Sequence, residues 1–212
     1  MTFEEAEFWL FHTVPNFQKN GGGKDYKIGL DGPRQFWDLI GRPGASIKTL
    51  HVAGTNGKGS TAHLLSAGLQ SLGYQVGLFS SPHLFSFRER AKIGRQLIDE
   101  DFVAGFVAHW RPKIEALGMS FSFFEWTTML ALAWFEEKKV DWIVLETGMG
   151  GRLDATNICQ PELAIITTIG LDHTQWLGTT RAAIAGEKGG IIKPGVPVVI
   201  GQKDPETKPV FT

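Results

Sequence analysis

The stretch KTLHVAGTNGKGS, residues 48–60, decides the fold of this chain. Its first half predicts a buried strand, and its second half predicts a glycine-rich turn that opens a helix at about Ser60. Glycines let backbone N–H groups gather around an anion, and the positive end of a helix favours the same anion. Lys58 adds a full charge, and the Ser60 hydroxyl is a ligand for Mg²⁺. The stretch therefore predicts a triphosphate site.

The loop departs from the strict phosphate-loop pattern G-x-x-x-x-G-K-[ST]. Val52 stands where the first glycine of that pattern would be, and Gly59 intervenes between Lys58 and Ser60. A glycine-rich strand-to-helix turn without a ligand is therefore the alternative interpretation. The rest of the chain has to decide between the two.

Composition limits the class of protein. A chain of 212 residues can bury a sizeable core, and its 21 basic and 22 acidic residues leave no electrostatic footprint for nucleic acid. The single cysteine, Cys159, excludes an internal disulfide and is typical of a reducing compartment. The first residues are acidic, unlike a signal peptide, and no apolar run approaches the ~20 residues that cross a bilayer. We predict a cytoplasmic protein that binds neither nucleic acid nor membrane.

Apolar strands alternate with helical stretches along the whole chain. Four further strands are predicted at residues 75–80, 142–145, 163–168 and 196–200. Helices are predicted at 3–13, 33–41, 61–72, from Asp99 with a break or kink near Pro112, from Phe123, and at 181–192, with capping boxes at Thr2/Glu5 and Ser122/Glu125 and a loop at 15–24. Such alternation predicts an α/β fold with a mostly parallel sheet flanked by helices.

Polar stretches follow the ends of four predicted strands: residues 54–60, 80–90, 146–157 and 172–173. Ligands of parallel sheets bind at that edge, so we expect the four stretches to meet there. Glu146 is a candidate Mg²⁺ ligand opposite the phosphate loop, and His173 is a second one. Lys188 belongs near such a metal only if it contacts phosphate or loses its charge, for instance as a carbamate. The SSPHLFSFRER stretch predicts either a wall for a flat ligand or a packed loop.

Five motifs occur in a characteristic order: HVAGTNGKGS, SSPHLFSFRER, LETGMGGRLDATN, GLDHTQWLG and GEKGGIIKPG. Together they resemble folylpolyglutamate synthase/dihydrofolate synthase, a family of ATP-dependent amide ligases in the Mur ligase superfamily. IGLDGPRQFWDLIG, residues 28–41, is similar to the N-terminal folate-contacting segment of that family. The resemblance extends from Lys27 to Gln202.

The resemblance implies a P-loop NTPase-like Mur ligase central domain over residues 1–202, followed by the start of an interdomain linker at 203–212. It assigns the ATP phosphates to Gly54, Thr55, Asn56, Gly57, Lys58, Gly59 and Ser60. It assigns one Mg²⁺ to Ser60 and Glu146, and a second to Glu146 and His173. It assigns catalytic roles to Lys58, Glu146, His173 and Lys188, the last as a carbamylated lysine. It assigns the pteroate pocket to Leu30, Pro82, His83, Phe124, Asp154 and Ala155.

The implied reaction joins L-glutamate to dihydropteroate or to a tetrahydrofolate polyglutamate through an acyl phosphate. The family carries a second, Rossmann-like domain that we expect to be absent here, so we expect this polypeptide to bind nucleotide weakly and to ligate poorly or not at all by itself. We also expect a monomer. Two alternatives stay open: a Mur-type ligase for another carboxylate substrate, and a non-catalytic nucleotide-binding module. Whether the enzyme adds the first glutamate, extends a tail or does both is also left open.

Overall fold

A single seven-stranded sheet organises the chain. The computed structural model describes residues 1–15 and 29–212, so most of the predicted 15–24 loop, and Ile28, lie outside the described residues. The strands are β1 (Lys48–Ala53), β2 (Val76–Phe79), β3 (Ala91–Ile93), β4 (Gln96–Leu97), β5 (Trp142–Glu146), β6 (Leu163–Ile166) and β7 (Val198–Ile200). Their order is β4-β3-β2-β5-β1-β6-β7, with β2, β5, β1, β6 and β7 parallel.

Helices cover both faces of this sheet. They are α1 (Phe3–His12), α2 (Asp31–Leu39), α3 (Lys58–Ser71), α4 (Glu100–Ala116), α5 (Phe123–Glu137), α6 (Thr174–Leu177), α7 (Arg181–Gly189) and α8 (Lys208–Phe211). Two 3-10 helices lie at Phe87–Arg90 and Ala155–Ile158. The predicted α/β class and the mostly parallel sheet are confirmed.

The two faces of the sheet have different cores. One face packs under α1, α2, α4 and α5 through an aromatic cluster that includes Trp126, Trp134 and Phe135. Beneath α3 lies a smaller aliphatic cluster with Leu50 and Val52 from β1. Because side chains alternate along a strand, His51 points away from that aliphatic cluster. A buried histidine thus occupies the middle of the central strand.

Local signals for the helices are largely confirmed. The capping boxes at Thr2/Glu5 and Ser122/Glu125 both form, and the Thr180 hydroxyl caps α7. Of the predicted break or kink near Pro112, the break is wrong, because α4 continues through that residue. Proline removes one backbone hydrogen bond, and burial of α4 on the aromatic cluster outweighs that loss.

Several short elements were not predicted from the sequence. The β3–β4 hairpin, antiparallel to β2, has strands of three and two residues, too short to show a period. The helical turns α6 and α8 have four residues each. Through α8, the C-terminal segment packs against α7, where Phe211 lies over Gly189 and Arg181 pairs with Asp204. The domain boundary at residue 202 stays a prediction.

Candidate functional site

The phosphate loop connects β1 to α3 at the carboxyl edge of the sheet. Helix α3 begins at Lys58, two residues earlier than predicted, and its N-cap Gly57 has a left-handed φ of 82°. No side chain caps α3, so its first N–H groups have neither an intrahelical acceptor nor a capping oxygen. A helix end of this kind is an anion site.

Threonines at the end of β6 hold the loop from below. Thr167 Oγ1 donates to the carbonyl of Asn56 at 2.8 Å, and Thr168 Oγ1 accepts from the Asn56 N–H at 3.1 Å. A Cβ at Gly54, whose φ is 144°, would overlap the Thr167 hydroxyl. Glycine is therefore required at position 54 for packing as well as for backbone conformation. Neither threonine was predicted from the sequence as a site residue.

Lys58 lies inside its own loop. Its Nζ donates to the carbonyl oxygens of Gly54 at 2.9 Å and Thr55 at 3.2 Å. The loop thus carries a full positive charge beside the uncapped helix end, which is the combination that a polyphosphate requires.

Glu146 ends β5 directly opposite the phosphate loop. Its carboxylate is buried, and Oε2 accepts a 3.1 Å hydrogen bond from the Ser81 N–H. A Cβ at Gly59 would lie 3.5 and 3.6 Å from its two oxygens, so the carboxylate faces the first turn of α3. Burial raises the pKa of Glu146, while the Ser81 N–H and the charges of Lys58 and Arg90 oppose that shift.

The stretch after β2 places a histidine beside a buried arginine. Arg90 Nε donates to His83 Nδ1 at 2.9 Å, which leaves the ring proton of neutral His83 on Nε2. Burial, followed by the charge of Arg90, lowers the pKa of His83. Burial also lowers the pKa of Arg90 to about 10, while the negative charge of Glu146 opposes that shift because it stabilises the cationic guanidinium. His83 is therefore a neutral side chain with a directed Nε2–H donor.

Loop residues Leu84 and Phe85 are 83% and 96% exposed. Glu89 accepts hydrogen bonds from the backbone N–H groups of Leu84, Phe85 and Ser86, which lowers the pKa of Glu89 to about 2. Glu89 thus orders this stretch, and both predictions for SSPHLFSFRER, a wall for a flat ligand and a packed loop, agree with that order.

The loop that follows β5, residues 148–157, is built around Asp154. One carboxylate oxygen accepts from the N–H groups of Gly148 and Met149, both at 2.9 Å. The other accepts from the Thr156 N–H at 3.0 Å and the Thr156 hydroxyl at 2.6 Å. Burial raises the pKa of Asp154, and these four donors oppose the shift. Both oxygens are committed to the loop itself.

Phe124 packs directly on this loop from the first turn of α5. A Cβ at Gly148 would lie 2.6 Å from the edge of the Phe124 ring, so glycine allows the ring to approach the backbone. Of the remaining predicted pocket residues, Ala155 is buried in the loop, Pro82 is exposed and Leu30 precedes α2. Thus Phe124, Asp154 and Ala155 form one group.

Lys188 reaches the phosphate loop from α7. Its buried Nζ donates to the Gly54 carbonyl at 3.1 Å and to Asp172 Oδ2 at 3.0 Å. Burial lowers the pKa of Lys188, while Asp172 opposes the shift. Asp172 Oδ1 is buried and lacks a hydrogen-bond partner within the described part of the chain. Lys188 and Lys58 therefore share one carbonyl, although 130 positions separate them in the sequence.

The three predicted metal ligands differ in their exposure to solvent. Glu146 is buried, whereas Ser60 and His173 lie at the exposed surface, with His173 in the left-handed region at φ 44°. Within residues 1–15 and 29–212, no three His, Cys, Asp or Glu side chains form a metal cluster. Magnesium usually takes one or two carboxylates and completes its shell with water and phosphate oxygens. Glu146 beside the loop fits that pattern, and the metal assignment stays a prediction.

No helix in the described ranges combines the length and apolarity that crossing a bilayer requires.

Comparison with known proteins shows which proteins this chain is similar to. The model of the Mur ligase middle domain matches residues 113–209. A dihydrofolate synthase/folylpolyglutamate synthase of Bacillus subtilis is 44% identical over 191 residues, which is 87% of this chain and 44% of the relative.

Solved structures agree with that match. Thermotoga maritima folylpolyglutamate synthase superposes with a TM-score of 0.86 and 38% identity, over 99% of this chain and 46% of that one. E. coli FolC in complex with DHPP and ADP gives a TM-score of 0.83 and 35% identity, over 99% and 49% of the two chains. The chain therefore spans about half the length of the relatives that it matches.

Proposed function

We propose that this chain, which belongs to the folylpolyglutamate synthase/dihydrofolate synthase family and corresponds to its N-terminal part, forms the ATP- and pteroate-binding portion of an amide ligase. The observation that carries the proposal is the uncapped N-terminus of α3 with Lys58 in its loop, facing the buried Glu146. A substrate carboxylate and ATP would meet between these groups. The E. coli relative with DHPP and ADP supports both ligand classes.

Two steps account for the chemistry. A carboxylate oxygen of dihydropteroate or of a folate polyglutamate attacks the γ-phosphorus of ATP, which forms an acyl phosphate and releases ADP. The amine of L-glutamate then attacks the acyl carbon, phosphate leaves, and the amine loses a proton to give the amide. Negative charge collects on phosphate oxygens in both steps, so Lys58 and the N–H groups of α3 stabilise both.

Magnesium would neutralise further phosphate charge when bound. Ser60 and Glu146 would hold one ion, and Glu146 with His173 a second. The raised pKa of Glu146 favours a cation beside it, because a positive charge offsets the cost of burying the carboxylate.

The pteroate would lie against the wall formed by the stretch after β2 and the 148–157 loop. Phe124 offers a flat aromatic face next to Gly148, while Leu30, Pro82 and Ala155 add apolar contacts. His83 would donate from Nε2 to a substrate oxygen. Asp154 would shape the loop, since its own loop supplies four donors to its oxygens.

Lys188 would act as a carbamate. A lowered pKa increases the fraction of neutral amine, which attacks carbon dioxide, forms an N–C bond and releases a proton. The resulting anion, next to a metal site, would remove the repulsion that an ammonium group creates. Intact-protein mass spectrometry with and without bicarbonate tests this. An added carbon dioxide that Lys188→Arg abolishes is the expected result, and an unmodified lysine under both conditions contradicts it.

A cytoplasmic, monomeric protein is the remaining part of the proposal. The single cysteine supports a reducing compartment. Light scattering would test the monomer, and a concentration-dependent mass would contradict it.

Calorimetric titration tests the function directly. ATP with Mg²⁺, GTP with Mg²⁺ and dihydropteroate are titrated separately, and ATP is titrated again in the presence of dihydropteroate. We expect binding that is selective for ATP and strengthened by the pteroate. Preference for GTP, or no binding of either nucleotide, contradicts the proposal. ATP binding that dihydropteroate leaves unchanged supports instead a Mur-type ligase for another carboxylate or a non-catalytic module.

Ligation is measured in parallel with ATP, L-glutamate and either dihydropteroate or a tetrahydrofolate polyglutamate. Product from only the first acceptor identifies addition of the first glutamate, and product from only the second identifies tail extension. Little or no product together with ATP binding is what we expect of these 212 residues alone.

A further inference from the structure

A buried chain of polar side chains runs from the central strand to the 148–157 loop. His51, fully buried in β1, has its Nε2 2.8 Å from the Thr156 hydroxyl. Thr156 in turn donates to Asp154 at 2.6 Å. The sequence separation of His51 and Thr156 is 105 positions, so this contact exists only in the folded chain.

The direction of each hydrogen bond follows from this chain. The Thr156 hydroxyl has one proton, which it gives to Asp154, so it accepts from His51 Nε2–H. His51 Nδ1 is then an acceptor, and Cys159 Sγ lies 3.5 Å from it as the matching thiol donor. Burial lowers the pKa of His51 to about 3, and burial raises the pKa of the Cys159 thiol to about 12. Histidine and thiol are therefore both neutral.

Asp154 connects Thr156 to the backbone at the start of the 148–157 loop. Thr156 donates twice to one of its oxygens, and the N–H groups of Gly148 and Met149 donate to the other. Gly148 is the residue that allows Phe124 to pack on the loop, and it lies two positions after Glu146. A rotation of Asp154 would therefore displace the backbone on which Phe124 packs.

We propose that His51 is a positioning residue, which holds the Thr156 hydroxyl and through it the Asp154 carboxylate, so that the 148–157 loop keeps its binding conformation. The strand that carries His51 leads three residues later into the phosphate loop at Gly54. The strand β1 therefore contacts both proposed ligand loops: it leads into the phosphate loop, and its His51 contacts Thr156 in the 148–157 loop. The assignment of a pteroate to this loop rests on the proposed function, whereas the ordering of the loop does not.

Two substitutions at position 51 separate hydrogen bonding from packing. In His51→Gln the side-chain amide can reach the Nε2 position and still donate to Thr156. In His51→Asn the shorter amide reproduces only the Nδ1 side, towards Cys159. Thr156→Val removes the hydroxyl at nearly constant volume, and Cys159→Ala is the matched control that removes only the other neighbour of the ring.

Hydrogen exchange at the amides of Gly148 and Met149, in the full 212-residue protein, is the primary measurement. We expect His51→Asn and Thr156→Val to exchange at least about tenfold faster at these amides, with His51→Gln and Cys159→Ala near the wild type. Amides at the start of α3 should not change. Unchanged protection of Gly148 and Met149 in both His51→Asn and Thr156→Val overturns the proposal, as does equal loss of protection throughout the sheet.

Ligand affinity is the second measurement. His51→Asn should weaken dihydropteroate binding by about tenfold and ATP binding by less than about twofold, since a displaced loop misplaces one ligand only. Equal losses for both ligands would mean a structural role and would overturn the positioning role. If the wild type binds neither ligand, the proposed function fails, and the exchange data alone decide whether His51 orders the loop.

Discussion

Two glycine-rich loops follow neighbouring parallel strands: GTNGKGS at 54–60 and GMGGRLDATN at 148–157. They differ in what their backbone N–H groups contact. The first loop is held from outside by the hydroxyls of Thr167 and Thr168, and α3 begins without a capping side chain. The second folds its N–H groups around its own carboxylate, Asp154. The first loop thus ends in an uncapped helix start, which we propose binds an anion, and the second already contains a carboxylate.

The difference teaches that glycine content does not define an anion site. Both sequences supply glycines after a buried strand, yet only the loop with a lysine and no internal acid leaves the N–H groups at the start of its helix without a capping acceptor. An acid six residues after the first glycine of the second loop gives that loop a fixed shape instead. A fixed shape suits the wall of a pocket.

The largest expected effect comes from removing the internal anion. Asp154→Asn replaces one acceptor oxygen with an amide that faces existing donors, so we expect a loss of about 3 kcal/mol in the free energy of unfolding. Urea unfolding measures it. Asp38→Asn, on an exposed ion pair with Arg42, is the control and should cost less than about 1 kcal/mol. Equal stability of the two variants would contradict the role given to Asp154.

The next effect concerns the loop that receives an external anion. Lys58→Met should weaken ATP binding by about 100-fold, because a charge inside a preformed phosphate site is lost. Calorimetry reports the affinity, and exchange at Gly148 should not change. Lys48→Met, at the exposed start of the same strand, is the matched control. Loss of affinity below about threefold would show that the loop binds no phosphate near Lys58.

A third prediction concerns pH. The pKa of His51 is lowered from 6.5 to about 3 in the folded protein, so the unfolded chain binds one more proton between these values. Stability contributed by neutral His51 is therefore complete above pH 6.5 and is lost as pH falls. From pH 7 to pH 5 we expect this contribution to drop by about 2 kcal/mol.

His51→Gln cannot take up that proton, and comparison with the wild type removes the effects of the other groups. Urea titrations at both pH values should show a loss for wild type that exceeds the loss for His51→Gln by about 2 kcal/mol. If the two proteins have identical pH dependence, His51 is charged or solvated in the folded protein, and the prediction of a neutral buried histidine is wrong.

The smallest effect tests what supports the phosphate loop. Thr168→Val removes the hydroxyl that accepts from the Asn56 N–H, which should cost about 1 kcal/mol of stability and weaken ATP binding slightly. Thr179→Val, at an exposed position, is the control. If Thr168→Val changes amide exchange in the 148–157 loop more than it changes ATP affinity, the result would contradict the conclusion that Thr168 supports only the phosphate loop.

By itself the sequence determined the order of strands and helices, two capping boxes and the loop around Lys58, because these depend on residues that are neighbours along the chain. It also indicated that the polar ends of parallel strands meet at one edge. The hydrogen bond from Ser81 to Glu146 and those from Lys188 to Gly54 and Asp172 bear this out.

Tertiary structure alone decided what these residues contact. The sequence predicted Asp154 as a pocket residue, and the structure shows that its oxygens accept hydrogen bonds from its own loop. Nothing in the sequence indicated that His51, one residue of a buried strand, contacts Thr156. The start of α3 at Lys58, two residues earlier than predicted, and the β3–β4 hairpin were likewise revealed only by the tertiary structure. The physical reason is that a side chain's partner across the sheet is set by register and packing, and neither leaves a periodic signal in the chain.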